Sequence, residues 1–332
     1  MTRLSFGVGR GRLVGMLPEN PTIAMIGAGA LGCYYGARLA QHGKQVHFLL
    51  RSDYAEVQKN GLTVRSVSGD FSLPPEAIHV FNDVRSMPKA DLVIVTLKST
   101  ANDQFQPLIA PLLHDSTAIL TLQNGLGNEE RLAELFGAGR VMGGICFVCI
   151  NRVGPGVIDH TAHGLIRLGE FGGGPSDRAR WVADLFNTSA VQCEVLADLR
   201  YGRWEKLVWN IPFNGLSAAM DLTTDRLLDT PAGEELVRRV MSEVIATARV
   251  AGANLPDELI DYQIRRTQNM GSYRTSMHLD RTHGRALELE GIIGEPLRAA
   301  KRGGVPTPLM EAMYAQLRLL AQGNWVDSPR MA

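Results

Sequence analysis

The chain predicts an α/β domain followed by an all-α domain, and three observations carry that expectation. An apolar strand at 22–26 runs into the glycine-rich turn GAGALG at 27–32 and then into a helix-compatible stretch. Further short apolar segments at 45–52, 91–99 and 118–122 each end where a turn or helix can begin. After Asp198 the strand alternation gives way to helical spacing, as in EELVRRVMSEVIATARVAG at 234–252. Strand, glycine turn and helix in that order open a Rossmann-type unit. The expected division is an extension over 1–20, a Rossmann-type domain over 21–198 and a helical domain over 199–332.

At 332 residues the chain has room for two domains, at about 150 residues each. Its 45% hydrophobic and 20% charged residues are those of an ordinary soluble globular protein. Formal charge balances to +0, with no block of five like charges. Neither nucleic acid nor an anionic membrane is therefore expected as a partner. The apolar run VMGGICFVCI at 141–150 is about half the length of a membrane helix and reads as a buried strand or strand pair. Four scattered cysteines suit a reducing, cytoplasmic setting better than a disulfide scaffold. Cys146 and Cys149 form a C-x-x-C, but strand residues three apart face opposite sides. His160 and His163 have no second ligand pair nearby and read as loop or hairpin histidines, so no metal site is expected. The first twenty residues hold Arg3, Arg10 and Arg12 with no acid before Glu19. They lack a secretory cleavage pattern and are poor in serine, which predicts a disordered extension rather than a targeting segment.

In the glycine turn, Gly27 permits the tight bend, Gly29 lets the backbone approach a pyrophosphate, and Gly32 lets helix pack on strand. Phosphates would sit at the helix N-terminus, where free N–H groups and the macrodipole favour anions. The second strand, 45–52, delivers Arg51, 24 residues after Gly27. An acid here would hold ribose hydroxyls, whereas an arginine matches a 2′-phosphate. NADP is therefore the expected cofactor; a solvated strand-end charge is the alternative. Asp53 is expected to cap a helix starting near Tyr54.

A hairpin is expected over 61–74. The strand at 91–99 would then deliver Lys98 at the sheet edge where open α/β folds bind ligands. AILTLQNGLGNEERL, 118–132, repeats strand, turn and helix, and would point Asn124 into the same cleft; Asn-Gly is also a common turn. From 141 to 170, turn signals such as GPGVIDH predict short antiparallel hairpins at the far edge of the sheet. A helix over 177–188 and a last strand near 191–196 complete the domain.

In the helical half, RWEKLVWNIPFNGLSA at 203–218 places Lys206, Asn210 and Asn214 four apart, on one face of a helix. Pro212 would distort that helix without ending it. Apolar neighbours Trp204, Leu207, Val208, Ile211 and Phe213 surround the stripe. Polar groups held among buried surfaces are costly unless they face a cleft or one another. A solvated face, the other reading, more often uses charges than asparagines.

With these residues in place, the chain from Thr22 onward resembles the ketopantoate reductase (2-dehydropantoate 2-reductase) family. The landmarks are GAGALG, Arg51, VTLKS with Lys98, QNGLG with Asn124, GPGVIDH, and WEKLVWN with Lys206 and Asn210. A late one is SMHLDRTHGRALELEGIIG at 276–294, similar to the family's Ser-Met, Asp and Thr-Glu-x-Asp helix. The resemblance implies NADPH along Gly27, Ala28, Gly29, Ala30, Leu31 and Gly32, with Arg51 on the 2′-phosphate. It implies Lys98 and Asn124 near the nicotinamide half, the backbone near Cys149 as a further contact, and Glu288 closing over the cofactor. Lys206 takes the place of the general acid, and Lys206, Asn210, Asn214 and Ser276 those of substrate contacts. The chain departs from the family at Tyr273 and Thr224, where substrate-contacting asparagines are expected, and at Leu287 to Glu290.

The implied reaction is NADPH-dependent reduction of ketopantoate to pantoate. The alternatives are a reductase of another branched 2-oxoacid or ketone, and a non-catalytic NADP-binding regulator, against which the retained Lys206 argues. Apolar helices in the second half would also permit a homodimer.

Overall fold

The computed structural model describes residues 18–322. The extension expected over residues 1–20 therefore lies, up to residue 17, outside the described residues. Strand β1 (Thr22–Ile26) leads through the glycine turn to helix α1 (Ala30–Gln41), and β2 (Gln45–Leu49) leads to α2 (Tyr54–Asn60). The hairpin at 61–74 is present as β3 (Leu62–Ser66) and β4 (Phe71–Leu73). There follow β5 (His79–Phe81), β6 (Leu92–Val95), α3 (Phe105–Ile109), β7 (Ala118–Thr121) and α4 (Asn128–Phe136). The strands β8 (Val141–Gly154) and β9 (Val157–Glu170), helix α5 (Asp177–Asn187) and strand β10 (Cys193–Val195) complete the α/β part.

All ten strands belong to one mixed sheet in the order β4-β3-β9-β8-β7-β6-β1-β2-β5, with β10 beside β9. The central strands β6 and β7, LVIV and AILT, are buried throughout, the unbroken apolar pattern of strands covered on both faces. One face packs Tyr35, Leu39 and Phe186, and the other Phe105, Ile109 and Leu112. Chain order reverses at β1, which has β2 on one side and β6 on the other. Ligand crevices of open α/β sheets form at such switch points.

Two strand expectations need correction. Residues 141–170 are not several short hairpins at the sheet edge but one long hairpin, and β9 lies between β8 and β3 inside the sheet. The only reversal is at Gly154–Gly156; glycines farther along lie within the strands. The other irregularities are register shifts between Phe147 and Val148, Cys149 and Ile150, and Arg152 and Gly154, and bulges bend a strand without ending it. The edge belongs instead to β4. The strand expected over 91–99 stops at Val95; just beyond it the Thr96 hydroxyl donates to the Gly27 carbonyl at 2.8 Å.

Among the described residues only helices follow: α6 (Leu199–Met220), α7 (Thr224–Leu228), α8 (Pro231–Val250), α9 (Leu259–Gln268), α10 (Ser276–Thr282), α11 (Glu295–Gly303) and α12 (Pro308–Gln322). The carboxylate of Asp198 caps α6 by accepting from Arg200 N at 2.8 Å. The helix continues through Pro212 to Met220. Its apolar side, with Leu207, Ile211 and Phe213, shares a core with Val237, Met241 and Val244 of α8. Among the described residues no helix is long and apolar enough to cross a membrane.

Candidate active site

A cleft of about 2070 Å³ runs between the C-terminal edge of the sheet and the helical half. A drug-sized ligand occupies roughly 300–1,000 Å³, so the space suits a dinucleotide with a second small molecule. At one end lies the glycine turn. Gly27 has φ +85°, and a Cβ there would stand 2.5 Å from Leu97 N. At Gly32 a Cβ would stand 2.4 Å from Thr96 Oγ1. These two glycines are required by protein packing. Gly29 differs: beyond its own turn nothing faces the added carbon, the nearest atom being Gly27 O at 3.9 Å. Its exposed backbone borders the cleft together with Ala28, Ala30 and Leu31. Helix α1 has no acid in its first turn and no side-chain cap, which leaves its first N–H groups available to an anion. The residues present therefore fit a pyrophosphate.

Arg51 is exposed and borders this end of the cleft. Asp53 precedes α2 as expected, but its carboxylate makes no cap bond. It accepts instead from Arg152, from Ser52 Oγ at 2.9 Å and from Gly156 N at 3.2 Å. The long β8–β9 hairpin brings the exposed Arg152 guanidinium onto the buried Asp53 carboxylate, and a charged partner outcompetes a local backbone N–H. Arg152 is thus a second guanidinium at this end, missed in the sequence because it lies 99 residues from Asp53.

Further along the cleft, Lys98 forms a 2.6 Å ion pair with Asp280 of α10. The Glu288 carboxylate accepts from Ser99 N at 2.8 Å; burial pushes its pKa up, against the pull of that bond and of Lys98. The Lys206 ammonium donates to Asn124 Oδ1 and to the Cys146 carbonyl, both at 2.7 Å. Removal from water lowers its pKa from 10.5 to about 8; the Arg203 and Arg266 guanidiniums push the same way and Glu288 opposes them. The carbonyl on Lys206 is that of Cys146. Cys149 also borders the cleft, but its carbonyl accepts from Thr161 Oγ1 at 3.3 Å. Both thiols are free.

One and two turns beyond Lys206, Asn210 and Asn214 are buried to 5% and 3% exposure and border the same space. Asn214 Oδ1 accepts from Met277 N at 3.2 Å and Ser276 Oγ at 3.3 Å. That ties α10 to α6 and leaves the asparagine N–H groups to the cleft. Tyr273 faces the cleft, whereas Thr224 is fully buried and does not border it. Ser276 borders it, as do Lys98, Asn124 and Glu288. His160, read as a hairpin residue, is buried in β9 with Nδ1 2.8 Å from Ser66 Oγ.

A buried ion pair that the sequence did not disclose docks α6 on the sheet. Arg203 binds the Glu129 carboxylate and donates to the Gln123 carbonyl at 2.7 Å. Its only signal was an arginine one turn before Lys206 on the same helix. Chemically, the cleft joins an anion cradle, a cation of lowered pKa and a set of uncharged donors.

Comparison with known proteins agrees with this arrangement. Residues 23–173 match the family described as "Ketopantoate reductase PanE/ApbA", and residues 198–321 match "Ketopantoate reductase PanE/ApbA C terminal". A 2-dehydropantoate 2-reductase of Nostoc sp. is 45% identical over 306 residues, which is 91% of this chain and 95% of that protein. The crystal structure of 2-dehydropantoate 2-reductase from Geobacter metallireducens superposes with a TM-score of 0.88 at 45% identity, covering 90% of this chain and 99% of that one. The enzyme of the same name from Methylococcus capsulatus gives 0.84 at 32% identity, covering 92% and 99%.

Proposed function

The chain belongs to the ketopantoate reductase family and is an oxidoreductase acting on CH–OH donors; from that premise we propose that it reduces 2-dehydropantoate to pantoate with NADPH, Lys206 serving as general acid. The observation that carries the reading is the setting of Lys206. An ammonium has three N–H donors, and two are engaged by Asn124 Oδ1 and the Cys146 carbonyl. The third is left for a substrate carbonyl oxygen. When bound, the dihydronicotinamide supplies a hydride to the carbonyl carbon. Lys206 stabilises the negative charge developing on oxygen and gives it a proton, which completes the alcohol. A pKa of about 8 places the proton near the balance point that favours acid–base transfer at neutral pH. Asn210 and the free N–H groups of Asn214 orient the substrate without adding a competing charge.

In this reading residues 21–198 hold the nucleotide and residues 199–332 present the substrate side. Gly27 to Gly32 hold the pyrophosphate, Lys98 and Asn124 lie toward the nicotinamide half, Cys149 contributes backbone, and Glu288 closes over the cofactor. Support for NADPH over NADH comes from Arg51 and Arg152 at the adenosine end, and from Asp53, whose carboxylate is occupied by Arg152 and so not free for ribose hydroxyls. The reading places the enzyme in the cytoplasm as a homodimer joined through its helical half; Leu319 of α12 is 67% exposed, and light scattering checks the assembly.

Tyr273 at the cleft wall favours one second reading, in which the substrate is a different branched 2-oxoacid. NADPH oxidation measured with ketopantoate, pyruvate and a panel of branched 2-oxoacids decides between them. Ketopantoate should give the highest kcat/KM; a value no better than that of pyruvate overturns the primary reading.

A further inference from the structure

Helix α9 presents Gln263, Arg266 and, just beyond its end, Met270 to the cleft. Gln263 and Arg266 are one turn apart and so share a face. Gln263 is 3% exposed, and its Oε1 is buried without a hydrogen-bond partner. Buried amide oxygens are nearly always paired, so an unpaired one on a residue that borders the cleft marks a place for a ligand donor. Arg266 is half-buried and borders the same space. Among the described residues it meets no carboxylate, only the ring of Phe147, 5.7 Å from its Cζ. The Lys206 ammonium lies 5.6 Å from the centroid of that same ring. Two cations thus share one aromatic neighbour, and the Arg266 guanidinium also contributes to the lowered Lys206 pKa. The helix is held in register against α6 by the Trp209 indole, which donates to Thr267 Oγ1 at 2.9 Å. Thr267 Oγ1 in turn donates to the Gln263 carbonyl at 2.7 Å.

A 2-oxoacid carries its carboxylate on the atom next to the reacting carbonyl, so it fits two neighbouring cations with different tasks. Lys206 meets the carbonyl oxygen, and a planar guanidinium is suited to take the carboxylate through two parallel bonds. We propose that α9 sets substrate specificity, with Arg266 binding the carboxylate and Gln263 the distal hydroxyl of a hydroxylated 2-oxoacid. This assignment rests on the reductase reading above and extends it to residues on a different helix from the Lys206, Asn210, Asn214 stripe. Met270 adds apolar wall to the same cleft.

Specificity ratios test it. For the wild type, kcat/KM is measured with ketopantoate, with its methyl ester, and with the 2-oxoacid lacking the hydroxyl. Arg266→Gln should lower the acid-to-ester ratio roughly 10- to 100-fold, the scale of a charge-assisted hydrogen-bonded pair, mainly through KM. Arg266→Lys should restore part of that ratio, and NADPH affinity, read from cofactor fluorescence, should stay within about twofold of wild type in both variants. Gln263→Leu should lower the hydroxy-to-deoxy ratio about tenfold. An unchanged ratio overturns the assignment of the residue concerned. A loss in Arg266→Gln that falls on NADPH affinity gives the guanidinium to the cofactor and also overturns it. A wild type that reduces none of the 2-oxoacids defeats the reductase reading itself, a result separable from active wild type with unmoved ratios.

Discussion

Replacing Lys206 with methionine separates its chemical task from its cost to the fold. In the folded protein the ammonium titrates at about 8 rather than 10.5. At ~1.4 kcal/mol per pKa unit, that difference is roughly 3 kcal/mol. Below about pH 8 the side chain is protonated in both folded and unfolded chains, so the fold bears the full cost of a partly dehydrated charge. Between about pH 8 and 10.5 the unfolded chain holds the proton and the folded chain has released it, so stability rises with pH. Wild type should therefore gain on Lys206→Met across this window, by up to ~1.4 kcal/mol per pH unit and roughly 3 kcal/mol in all. Subtracting the variant's urea curve at each pH removes the other groups that titrate there. Reduction should respond with the opposite sense: kcat/KM falls above about pH 8 as the acid is lost, and Lys206→Met is slower by roughly 10²- to 10⁴-fold at pH 7. Parallel stability curves would refute the dehydrated ammonium, and a rate that stays flat above pH 8 would refute its role as acid.

Arg51→Ala should raise KM for NADPH at least tenfold while changing KM for NADH little; equal losses would remove the 2′-phosphate argument. Arg152→Ala should weaken NADPH and, by freeing Asp53, improve the NADH-to-NADPH ratio of kcat/KM, measured side by side. Arg203→Met leaves Glu129 buried without its partner and should cost about 3–5 kcal/mol in urea unfolding, with most of the loss recovered in the double variant Arg203→Met, Glu129→Leu. Gly32→Val, with its Cβ 2.4 Å from Thr96 Oγ1, should cost about 1–3 kcal/mol through overpacking and also weaken NADPH, as read by isothermal titration.

Much of this could be read from the chain because the chemistry is local there. The cradle is written in six consecutive residues, since turn, backbone approach and helix packing all happen within one βα connection. Lys206, Asn210 and Asn214 were legible because helical spacing puts them on one face whatever that face meets. What escaped was pairing at a distance. Asp53 looked like a helix cap because nothing nearby competes for it, yet its partner arrives from β8. The Cys146 carbonyl on Lys206 escaped for the same reason: hairpin bulges decide which carbonyl meets the lysine, and single-chain periodicity does not carry bulges. The β8–β9 hairpin was broken into pieces because glycine inside a strand and glycine at a reversal read alike. Helix α9 drew no notice, since Gln263 and Arg266 look like an ordinary polar face until α6 is placed against it.

The unit that places the Lys206 ammonium is therefore neither half alone. Arg203 stands one turn before Lys206 and binds both Glu129 and the Gln123 carbonyl, next to Asn124, which receives the ammonium. A buried pair on α6 thus fixes the loop that fixes the lysine. Across the cleft the two halves meet through Lys98 and Asp280, where the lysine side chain is 42% exposed, and through Glu288 on Ser99 N. Asp280 is itself only 9% exposed, so parting this half-solvated pair costs more than the ~0–1 kcal/mol of a fully exposed one and less than the ~3–5 kcal/mol of one buried at both ends, such as Arg203–Glu129. Any opening that admits a dinucleotide should then occur on the Lys98 side, with the α6 contact as its pivot. Such a motion would keep Lys206 within hydrogen-bond reach of Asn124, so the ammonium proposed as proton donor would be in position before the substrate arrives and the closing side would add only Glu288 and α10.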